Sequence, residues 1–296
     1  MKKLYGVVTA LTTPIDKNGK IIKSSVFKLV DYVVNNGVNC LYPMGSTGEM
    51  FFFDKDKRKK MAEYVIEANS GRATVFIHVG AKTLNETVEL AYHAYNSGAD
   101  GIAVITPIYY KVNDEEMYDY YSTIAKTIPE NFPLYIYNLP QQTSNDISVS
   151  VCEKLAKTHS NIIGIKYSYP DMFRTKEYIQ INDNNFSVLH GCDALFDTIL
   201  TLGCSGTVSG ISCVIPGIFA EVYKAFTNWD LKRMISAQRK INKVSKIILD
   251  GSPIANLKAA LTLLGIDMGY MIRPLHEADA ASVDRIKSML YAENML

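Results

Sequence analysis

The sequence predicts an α/β fold, a (β/α)8 TIM barrel followed by a C-terminal helical extension, and three observations favour it. Eight short apolar runs alternate with amphipathic segments over the first two-thirds of the 296 residues. Several of these runs are apolar at successive positions, as parallel strands covered on both faces are. After about residue 225 the strand pattern stops and helical periodicity continues. We therefore expect the barrel over residues 1–225 and the extension over residues 226–296.

The predicted strands are short and evenly spread along the barrel region. They lie near Tyr5–Leu11, Val38–Met44, Ala73–Val79, Gly101–Thr106, Pro133–Leu139, Ile162–Tyr167, Ser187–Cys192 and Gly206–Gly210. Eight strand–helix alternations fit a closed barrel best. An open doubly wound sheet is the alternative, but no G-x-G-x-x-G motif follows the first strand.

Helices between the strands carry start and stop signals. An apolar stripe over Val26–Val34 repeats at helical spacing and stops at Gly37, a residue suited to the end of a helix. Thr83-Leu84-Asn85-Glu86 has capping-box spacing, and Asn113 with Glu116 predicts a cap for the next helix.

The extension is predicted to be helical throughout and to pack on the barrel. One apolar stripe comprises Leu231, Met234, Ile235, Ile241, Val244, Ile248 and Leu249. Two further helices are expected over Pro253–Leu264 and Ala280–Tyr291. The basic run Lys55–Lys60 is interpreted as the solvated face of a helix, with a ligand site as the alternative.

Composition points to a small-molecule partner. The chain has 48% hydrophobic residues, and 31 basic residues balance 30 acidic ones. Because no block of one sign occurs, a nucleic-acid surface is disfavoured. No stretch approaches the roughly 20 apolar residues that span a membrane.

The N-terminal residues and the cysteines indicate the cellular compartment of the protein. Met1-Lys2-Lys3 before an apolar run imitates a secretory signal, but Pro14 and Asp16 end that run early, which favours a first barrel strand. The five cysteines are an odd number at scattered spacings. They suggest reduced thiols in a cytoplasmic protein.

Candidate site residues are polar residues that follow a strand, because active sites of such barrels gather at the C-terminal strand ends. Gly45-Ser46-Thr47-Gly48-Glu49 follows the second strand and offers N–H and O–H donors suited to a carboxylate or phosphate. An ordinary turn is the alternative interpretation. Thr106-Pro107-Ile108-Tyr109-Tyr110 follows the fourth strand and offers a phenol, or else an aromatic turn that packs under a loop.

Two further segments offer a proton carrier and a nucleophile. Tyr137 near the end of the fifth strand can move a proton at a substrate oxygen, although a tyrosine there can also simply pack. Gly164-Ile165-Lys166 ends the sixth strand, and Ile162, Ile163 and Ile165 are expected to surround the lysine. A desolvated lysine loses its charge more readily, and its neutral amine attacks carbonyls. The alternative is a lysine that extends to solvent.

In this order the G-S-T-G-E, T-P-x-Y, Y-N-x-P and G-I-K segments resemble the family of N-acetylneuraminate lyase, dihydrodipicolinate synthase and 2-keto-3-deoxygluconate aldolase. The resemblance runs from Gly6-Val7-Val8-Thr9-Ala10 to Arg273-Pro274. It implies that Lys166 forms an imine with pyruvate or with the 2-oxo end of a larger substrate. It also implies that Tyr137 shuttles protons.

The same resemblance assigns the remaining site residues. Ser46 and Thr47, with Gly48 beside them, would bind the carboxylate and position Tyr137. Tyr109 would complete a proton relay in the site of a neighbouring subunit of a homotetramer. Gly191 and Ile211 would line the pocket.

The chemistry needs no cofactor. A protonated imine is an electron sink that stabilises the enamine formed when the adjacent C–C bond breaks. Lysine therefore replaces the divalent metal of other aldolases. The histidines show no paired spacing typical of a metal site; they are His78, His93, His159, His190 and His276.

Departures from the subfamilies guide the choice of substrate. Dihydrodipicolinate synthases have an arginine for a second carboxylate where this chain has Gln142, so that activity is disfavoured. Sialic acid lyases have an acidic pair where this chain has Asp193 and Ala194, and a serine at the position of Gly210. Ser168 supplies a hydroxyl that can contact a substrate OH.

We therefore expect reversible aldol cleavage of a 2-keto-3-deoxy sugar acid, with sialic acid as a possible substrate. Dihydrodipicolinate synthesis and a dehydratase reaction through the same imine remain alternatives. A phosphorylated substrate bound at Ser205–Ser212 is disfavoured, because that segment lacks a nearby lysine or arginine. A non-catalytic binding barrel is the alternative of another class, and Lys166 with Tyr137 argues against it.

Overall fold

A computed structural model describes all residues from Met1 to Leu296 and contains a closed barrel of eight parallel strands. Each strand lies within or coincides with one of the predicted runs, so the predicted fold class is confirmed. The strands are β1 Gly6–Ala10, β2 Cys40–Tyr42, β3 Thr74–His78, β4 Gly101–Ile105, β5 Leu134–Asn138, β6 Ile162–Tyr167, β7 Ser187–His190 and β8 Gly206–Ser209. β8 pairs with β1, which closes the sheet without a free edge.

Helices follow the strands and cover the outside of the barrel. They are α1 Lys23–Asn35, α2 Lys55–Asn69, α3 Leu84–Asn96, α4 Asp114–Thr127, α5 Pro140–Thr143, α6 Val149–Thr158, α7 Met172–Asn184, α8 Phe196–Leu202 and α9 Pro216–Thr227. Short 3-10 turns follow β2, β7 and β8, at Ser46–Gly48, Met50–Phe52, Asp193–Leu195 and Ile211–Cys213. None of the helices combines the length and the apolar character that crossing a bilayer requires.

The helix signals in the sequence correspond to real caps. Asn113 and Glu116 form a reciprocal capping box, because each side chain accepts a hydrogen bond from the other residue's backbone N–H. The Thr83 hydroxyl accepts from the Glu86 N–H at 3.2 Å. Gly37 follows α1 with φ of 89°, a conformation that glycine adopts at little cost.

Side chains of the strands divide between two cores. A cluster of 68 buried residues fills the space between the strands and the helices. A cluster of 10 buried residues fills the barrel interior and includes Tyr42, Phe76 and Tyr135. Because successive strand residues point to opposite faces, Ile165 packs outward in the larger cluster and Lys166 points inward.

The extension contains α10 Leu231–Ile248, α11 Pro253–Leu263 and α12 Ala280–Ala292, close to the predicted helices. The predicted stripe on α10 is only partly buried, because Leu231, Ile235 and Leu249 are exposed. With about 100° between successive residues of a helix, these three lie on one flank of the buried face. The division at residues 225 and 226 stays a proposal; α9 ends at Thr227 and α10 begins at Leu231.

The basic run at the start of α2 is mostly solvated, but Arg58 departs from that interpretation. Its guanidinium is buried and donates to the Gly80 carbonyl at 2.8 Å and the His78 carbonyl at 2.9 Å. Spacing along the helix explains the difference, since residue 58 turns toward the barrel while Lys57 and Lys60 turn to solvent. Arg58 therefore fixes the backbone beyond β3.

Candidate active site

The C-terminal rim of the barrel contains a cavity of about 520 Å³. Most residues singled out in the sequence line it: Ser46, Thr47, Tyr137, Lys166, Ser168, Gly191, Asp193 and Ile211. A cavity of about 670 Å³ near Met1 and Lys3 is larger, but it contains none of these residues. Strand register explains the gathering, because Tyr137 pairs with Lys166 across β5 and β6.

Lys166 is buried in this cavity, with 5% of its surface exposed. Its amine lies 3.8 Å from the ring centroid of Tyr137 and 4.8 Å from that of Tyr42. The expectation that isoleucines surround the amine was wrong, because Ile162 and Ile165 pack in the core outside the barrel and Ile163 faces inward beside the cavity near Met1 and Lys3. Aromatic faces therefore desolvate the lysine, and Tyr42 was missed although it points inward from β2, two residues beyond Cys40.

Tyr137 joins the lysine to the loop after β2. Its hydroxyl lies 3.2 Å from the Ser46 hydroxyl, within hydrogen-bond distance. Its ring packs edge-on against Tyr42, with centroids 6.4 Å apart. Since the phenol is buried and oriented on both sides, it can transfer a proton to or from a group held over Lys166.

The Gly45–Glu49 loop presents its hydroxyls through an unusual backbone path. Met44 and Glu49 both have φ of 59°, and Ser46–Gly48 form a 3-10 turn between them. A side chain at Gly45 would approach Tyr42 Cε1 to 2.8 Å, so the turn requires glycine there. Gly48 does not line the cavity; it lies behind the turn, where its carbonyl accepts from the Thr13 hydroxyl at 2.9 Å.

Gly191 and Ser168 form one side of the cavity. A Cβ atom at Gly191 would lie 2.0 Å from the Ser168 Oγ, so only glycine leaves room for that hydroxyl. Gln141, which the sequence analysis missed, donates from its side-chain amide to the Ser168 carbonyl at 2.8 Å. The loop after β6 is thereby held in place, with its hydroxyl available at the cavity wall.

Asp193 is the acidic residue of the cavity lining. Its Oδ1 atom is buried without a hydrogen-bond partner. Burial raises the pKa of this carboxyl to about 7, against smaller lowering effects of the Ser209 hydroxyl and Lys166. An unpaired carboxyl oxygen that faces a cavity is suited to a substrate hydroxyl or ammonium group.

Tyr109 lies outside the cavity of its own chain. It is 80% exposed, has φ of 72°, and packs edge-on against the exposed ring of Tyr110 at 4.9 Å. An exposed tyrosine pair on a constrained loop is available to a second molecule. A catalytic role for Tyr109 therefore requires a neighbouring copy.

The extension supplies a wall of the cavity that the sequence analysis did not anticipate. Leu249, Pro253, Ile254 and Leu257, at the end of α10 and the start of α11, line the cavity. Leu257 also lies 3.4 Å from the position that a Cβ atom at Gly210 would occupy. The apolar residues around Pro253 were the sequence signal for this contact. Their spacing did not distinguish residues that pack on the barrel from residues that line the cavity.

The segment after β8 does not offer free phosphate ligands. The Ser212 hydroxyl donates to the Ser209 carbonyl at 2.9 Å and lies 2.9 Å from Thr9 Oγ1, from which it can accept. The Ser209 hydroxyl accepts from the Ser212 N–H at 3.0 Å. These hydroxyls close the turn after β8.

Comparison with known proteins supports the resemblance along the whole chain. A model of the dihydrodipicolinate synthetase family matches residues 3–293. The 4-hydroxy-tetrahydrodipicolinate synthase of Syntrophus aciditrophicus (strain SB) is 31% identical over 286 residues, 96% of this chain and 97% of the relative. The probable 2-dehydro-3-deoxy-D-pentonate aldolase YjhH of Escherichia coli (strain K12) is 28% identical over 301 residues, 100% of this chain and 99% of the relative.

A solved structure has closely the same fold as this chain. YagE from E. coli K12, a prophage protein of the dihydrodipicolinic acid synthase family in complex with pyruvate, has a TM-score of 0.93 and 26% identity, with 99% of both chains covered. The family model, the relatives and this structure all extend over nearly the full length. The chain therefore belongs to the dihydrodipicolinate synthetase family and is a carbon–carbon lyase of the class I aldolase type.

Proposed function

We propose that the protein reversibly cleaves a 2-keto-3-deoxy sugar acid to pyruvate and an aldehyde through an imine on Lys166. The observation that carries the proposal is the position of the Lys166 amine, buried 3.8 Å from the Tyr137 ring centroid. The Tyr137 hydroxyl is in turn within hydrogen-bond distance of Ser46. A nucleophile, a proton carrier and its orienting hydroxyl thus converge on one cavity.

Imine formation is the first step. The neutral Lys166 amine adds to the C2 carbonyl of the sugar acid, and the resulting carbinolamine loses its oxygen as water. Tyr137 delivers the proton that this departure needs. Hydroxyl and backbone donors of Ser46 and Thr47 hold the adjacent C1 carboxylate.

Cleavage follows from the charge on the imine. A base removes the proton of the C4 hydroxyl, the C3–C4 bond breaks, and its electron pair moves into the C2–C3 bond to give an enamine. The aldehyde leaves, C3 is protonated, and water releases pyruvate from Lys166. Because Tyr137 lies over the amine, it is the group we assign to these proton transfers.

The charges of the cavity wall favour a sugar acid. Lys166 is the cationic residue among the residues that line the cavity, and Gln142 lies where a second carboxylate would need an arginine. Ser168 and Asp193 instead provide partners for hydroxyl groups. A polyhydroxylated chain with one carboxylate therefore fits this wall better than a dicarboxylate.

Dihydrodipicolinate synthesis is the second candidate, because relatives at 31% and 32% identity carry that activity in their names. It uses the same imine but joins pyruvate to aspartate semialdehyde. The absence of a second cation from the cavity wall argues against it. A dehydratase of 2-keto-3-deoxy sugar acids through the same enamine is a further alternative.

We also propose a cytoplasmic homotetramer in which Tyr109 enters the site of a neighbouring copy. The exposure of Tyr109 supports this arrangement. So does an apolar cavity of about 160 Å³ beside Ser46, lined by Phe51, Ile105 and Ile108 among others. The five unpaired cysteines support a reducing compartment.

Borohydride trapping followed by a substrate panel tests the proposed function. Reduction with pyruvate should leave one adduct on Lys166, seen by mass spectrometry of the peptide. An unmodified lysine would favour a non-catalytic binding barrel instead. The panel then measures pyruvate release from sialic acid and from 2-keto-3-deoxy-gluconate, -galactonate and -arabinonate, beside condensation with aspartate semialdehyde. Condensation as the fastest reaction would reject the sugar-acid assignment while leaving the imine in place.

A further inference from the structure

A buried histidine under the reaction centre has no part in the mechanism above. His78 ends β3 inside the barrel and is 1% exposed. Its ring lies edge-on to Tyr137, with centroids 5.8 Å apart at 90°, and is tilted against Tyr42 at 6.1 Å. The histidine therefore contacts both aromatic rings that flank the Lys166 amine.

Both ring nitrogens of His78 are bound to backbone groups. Nδ1 lies 2.9 Å from the Met44 carbonyl oxygen, and Nε2 accepts from the Ile105 N–H at 3.3 Å. A carbonyl can only accept, so Nδ1 must carry the proton, and Nε2 must keep its lone pair to accept. Only the neutral Nδ1–H tautomer satisfies both partners.

The surroundings keep the ring neutral. Burial lowers the pKa of His78 well below its usual range, and the positive charges of Arg58 and Lys166 lower it further. Arg58 also donates to the carbonyls of His78 and Gly80, on either side of Val79. Because His78 stays neutral, it adds no positive charge near the site where the positively charged imine forms.

One of the two backbone groups bound by His78 belongs to the segment that carries Ser46, and the other belongs to β4, the strand paired with the Tyr137 strand β5. Met44 has φ of 59° and directly precedes the Gly45-Ser46 turn. Ile105 is the register partner of Tyr137 across β4 and β5. One imidazole thus spans both sides of the Ser46–Tyr137 hydrogen bond.

We propose that His78 is a positioning residue, which holds the Ser46 loop and the Tyr137 ring so that the phenol can exchange protons over Lys166. This inference rests on the proposed function, since it assigns His78 a role through Tyr137. It predicts slower proton exchange at C3 without an equal loss in the final extent of imine formation, because that extent does not depend on how fast Tyr137 delivers protons. A residue needed only for folding would lower both.

Pyruvate alone provides the assay, because its C3 protons exchange through the enamine without any aldehyde. In D2O the imine loses a C3 proton to the base, and the enamine regains a deuteron at the same carbon. NMR follows the exchange rate, and borohydride trapping gives the fraction of Lys166 converted. The two readouts separate proton transfer from imine formation.

Three variants define the test. His78→Phe keeps a ring but removes both hydrogen bonds, and it should lower the exchange rate roughly 10- to 100-fold while trapping one pyruvate per chain. His78→Asn can still donate to Met44 and should recover part of the rate. His159→Phe, at the C-terminal end of α6 and outside the cavity that contains Lys166, is the histidine control and should exchange at the wild-type rate.

A double-mutant cycle decides whether His78 acts through Tyr137. In a Tyr137→Phe background, His78→Phe should cost less than about threefold in exchange, because the group that it positions is already gone. Equal losses in both backgrounds, or a wild-type rate in the His78→Phe single variant, would overturn the proposal. If His78→Phe does not fold, the same cycle with His78→Asn gives the decision. Failure of the wild type to trap pyruvate would overturn the proposed function and this inference together, whereas wild-type trapping with an unaffected variant rejects His78 alone.

Discussion

Two buried lysines lie in different parts of this molecule and have opposite surroundings. Lys166, inside the barrel mouth, contacts the faces of Tyr42 and Tyr137 and forms no salt bridge. Lys258, on α11, lies 2.6 Å from the buried Glu49 carboxylate and donates to the Tyr270 carbonyl at 2.9 Å. Their exposure is nearly the same, so burial does not distinguish them.

The difference lies in what each amine is bound to. An ion pair and a carbonyl keep Lys258 charged and fixed, although burial lowers its pKa against the raising effect of Glu49. The amine of Lys166 has aromatic faces beside it and a cavity in front, which leaves its lone pair able to reach a carbonyl once deprotonated. Burial without a partner is therefore typical of a reactive lysine, and burial with a carboxylate is typical of a structural one.

Loss of the Lys166 amine should have the largest effect. Lys166→Met removes the amine, so turnover should fall below detection. Because methionine keeps an apolar chain of similar length, the melting temperature should change by no more than a few degrees. Pyruvate release and circular dichroism melts measure the two quantities. The exposed Lys28→Met variant serves as control, and wild-type turnover in the Lys166 variant would refute the imine mechanism.

Loss of the Tyr137 hydroxyl should slow the proton transfers but should not change how much pyruvate is finally captured on Lys166. Tyr137→Phe keeps the ring that desolvates Lys166, so pyruvate should still be trapped by borohydride. Cleavage should slow by roughly 10²- to 10⁴-fold, the usual contribution of a positioned proton carrier. Tyr135→Phe, lower in the barrel, is the matched control for loss of a tyrosine hydroxyl. An unchanged cleavage rate would remove Tyr137 from this role.

The structural lysine should show the reverse pattern. Lys258→Met leaves the Glu49 charge buried without compensation, which should cost about 3–5 kcal/mol of unfolding free energy. Urea denaturation measures this loss, and trapping on Lys166 should persist below the melting temperature. Adding Glu49→Gln removes the unpaired charge and should restore part of the stability. A Lys258 variant as stable as the wild type would show that the pair is not needed.

The pH dependence of stability tests whether the Asp193 carboxyl, which lines the same cavity as Lys166, carries a full negative charge. Burial raises its pKa from 3.8 to about 7, so the folded state keeps a proton that the unfolded state releases. Stability from this group is complete below about pH 4 and declines as the pH rises toward 7, by about 1 kcal/mol in a partly solvated site. The melting temperature of the wild type should therefore fall more between pH 5 and pH 8 than that of Asp193→Asn. Parallel curves would mean that Asp193 is charged throughout.

Much of the fold was accessible from local patterns. Short apolar runs marked all eight strands, several of them apolar at successive positions, and the Asn113–Glu116 spacing marked a capping box, because both depend on neighbours within a few residues. The position of Lys166 at a strand end was accessible for the same reason. Because strand ends meet at one rim in any such barrel, the sequence predicts that these residues lie close together.

Other features depend on contacts between distant segments. The shielding of Lys166 by Tyr42 joins residues 124 positions apart, and the faces taken by the isoleucines of β6 depend on how the strand sits in the closed barrel. In the sequence Arg58 does not differ from its solvated neighbours, and only the fold places it against the carbonyls of His78 and Gly80. The wall from Ile254 and Leu257 depends on how α11 docks on the rim.

Sequence alone was sufficient for the barrel, the position of Lys166 at a strand end and the order of the site segments, since these depend on periodicity and on polar residues placed at strand ends. The packed structure decided which side chains surround that lysine, which charges are paired, and which part of the extension closes the cavity. These follow from burial and hydrogen bonding between elements far apart in the chain, where a buried polar group takes the nearest partner that the fold provides.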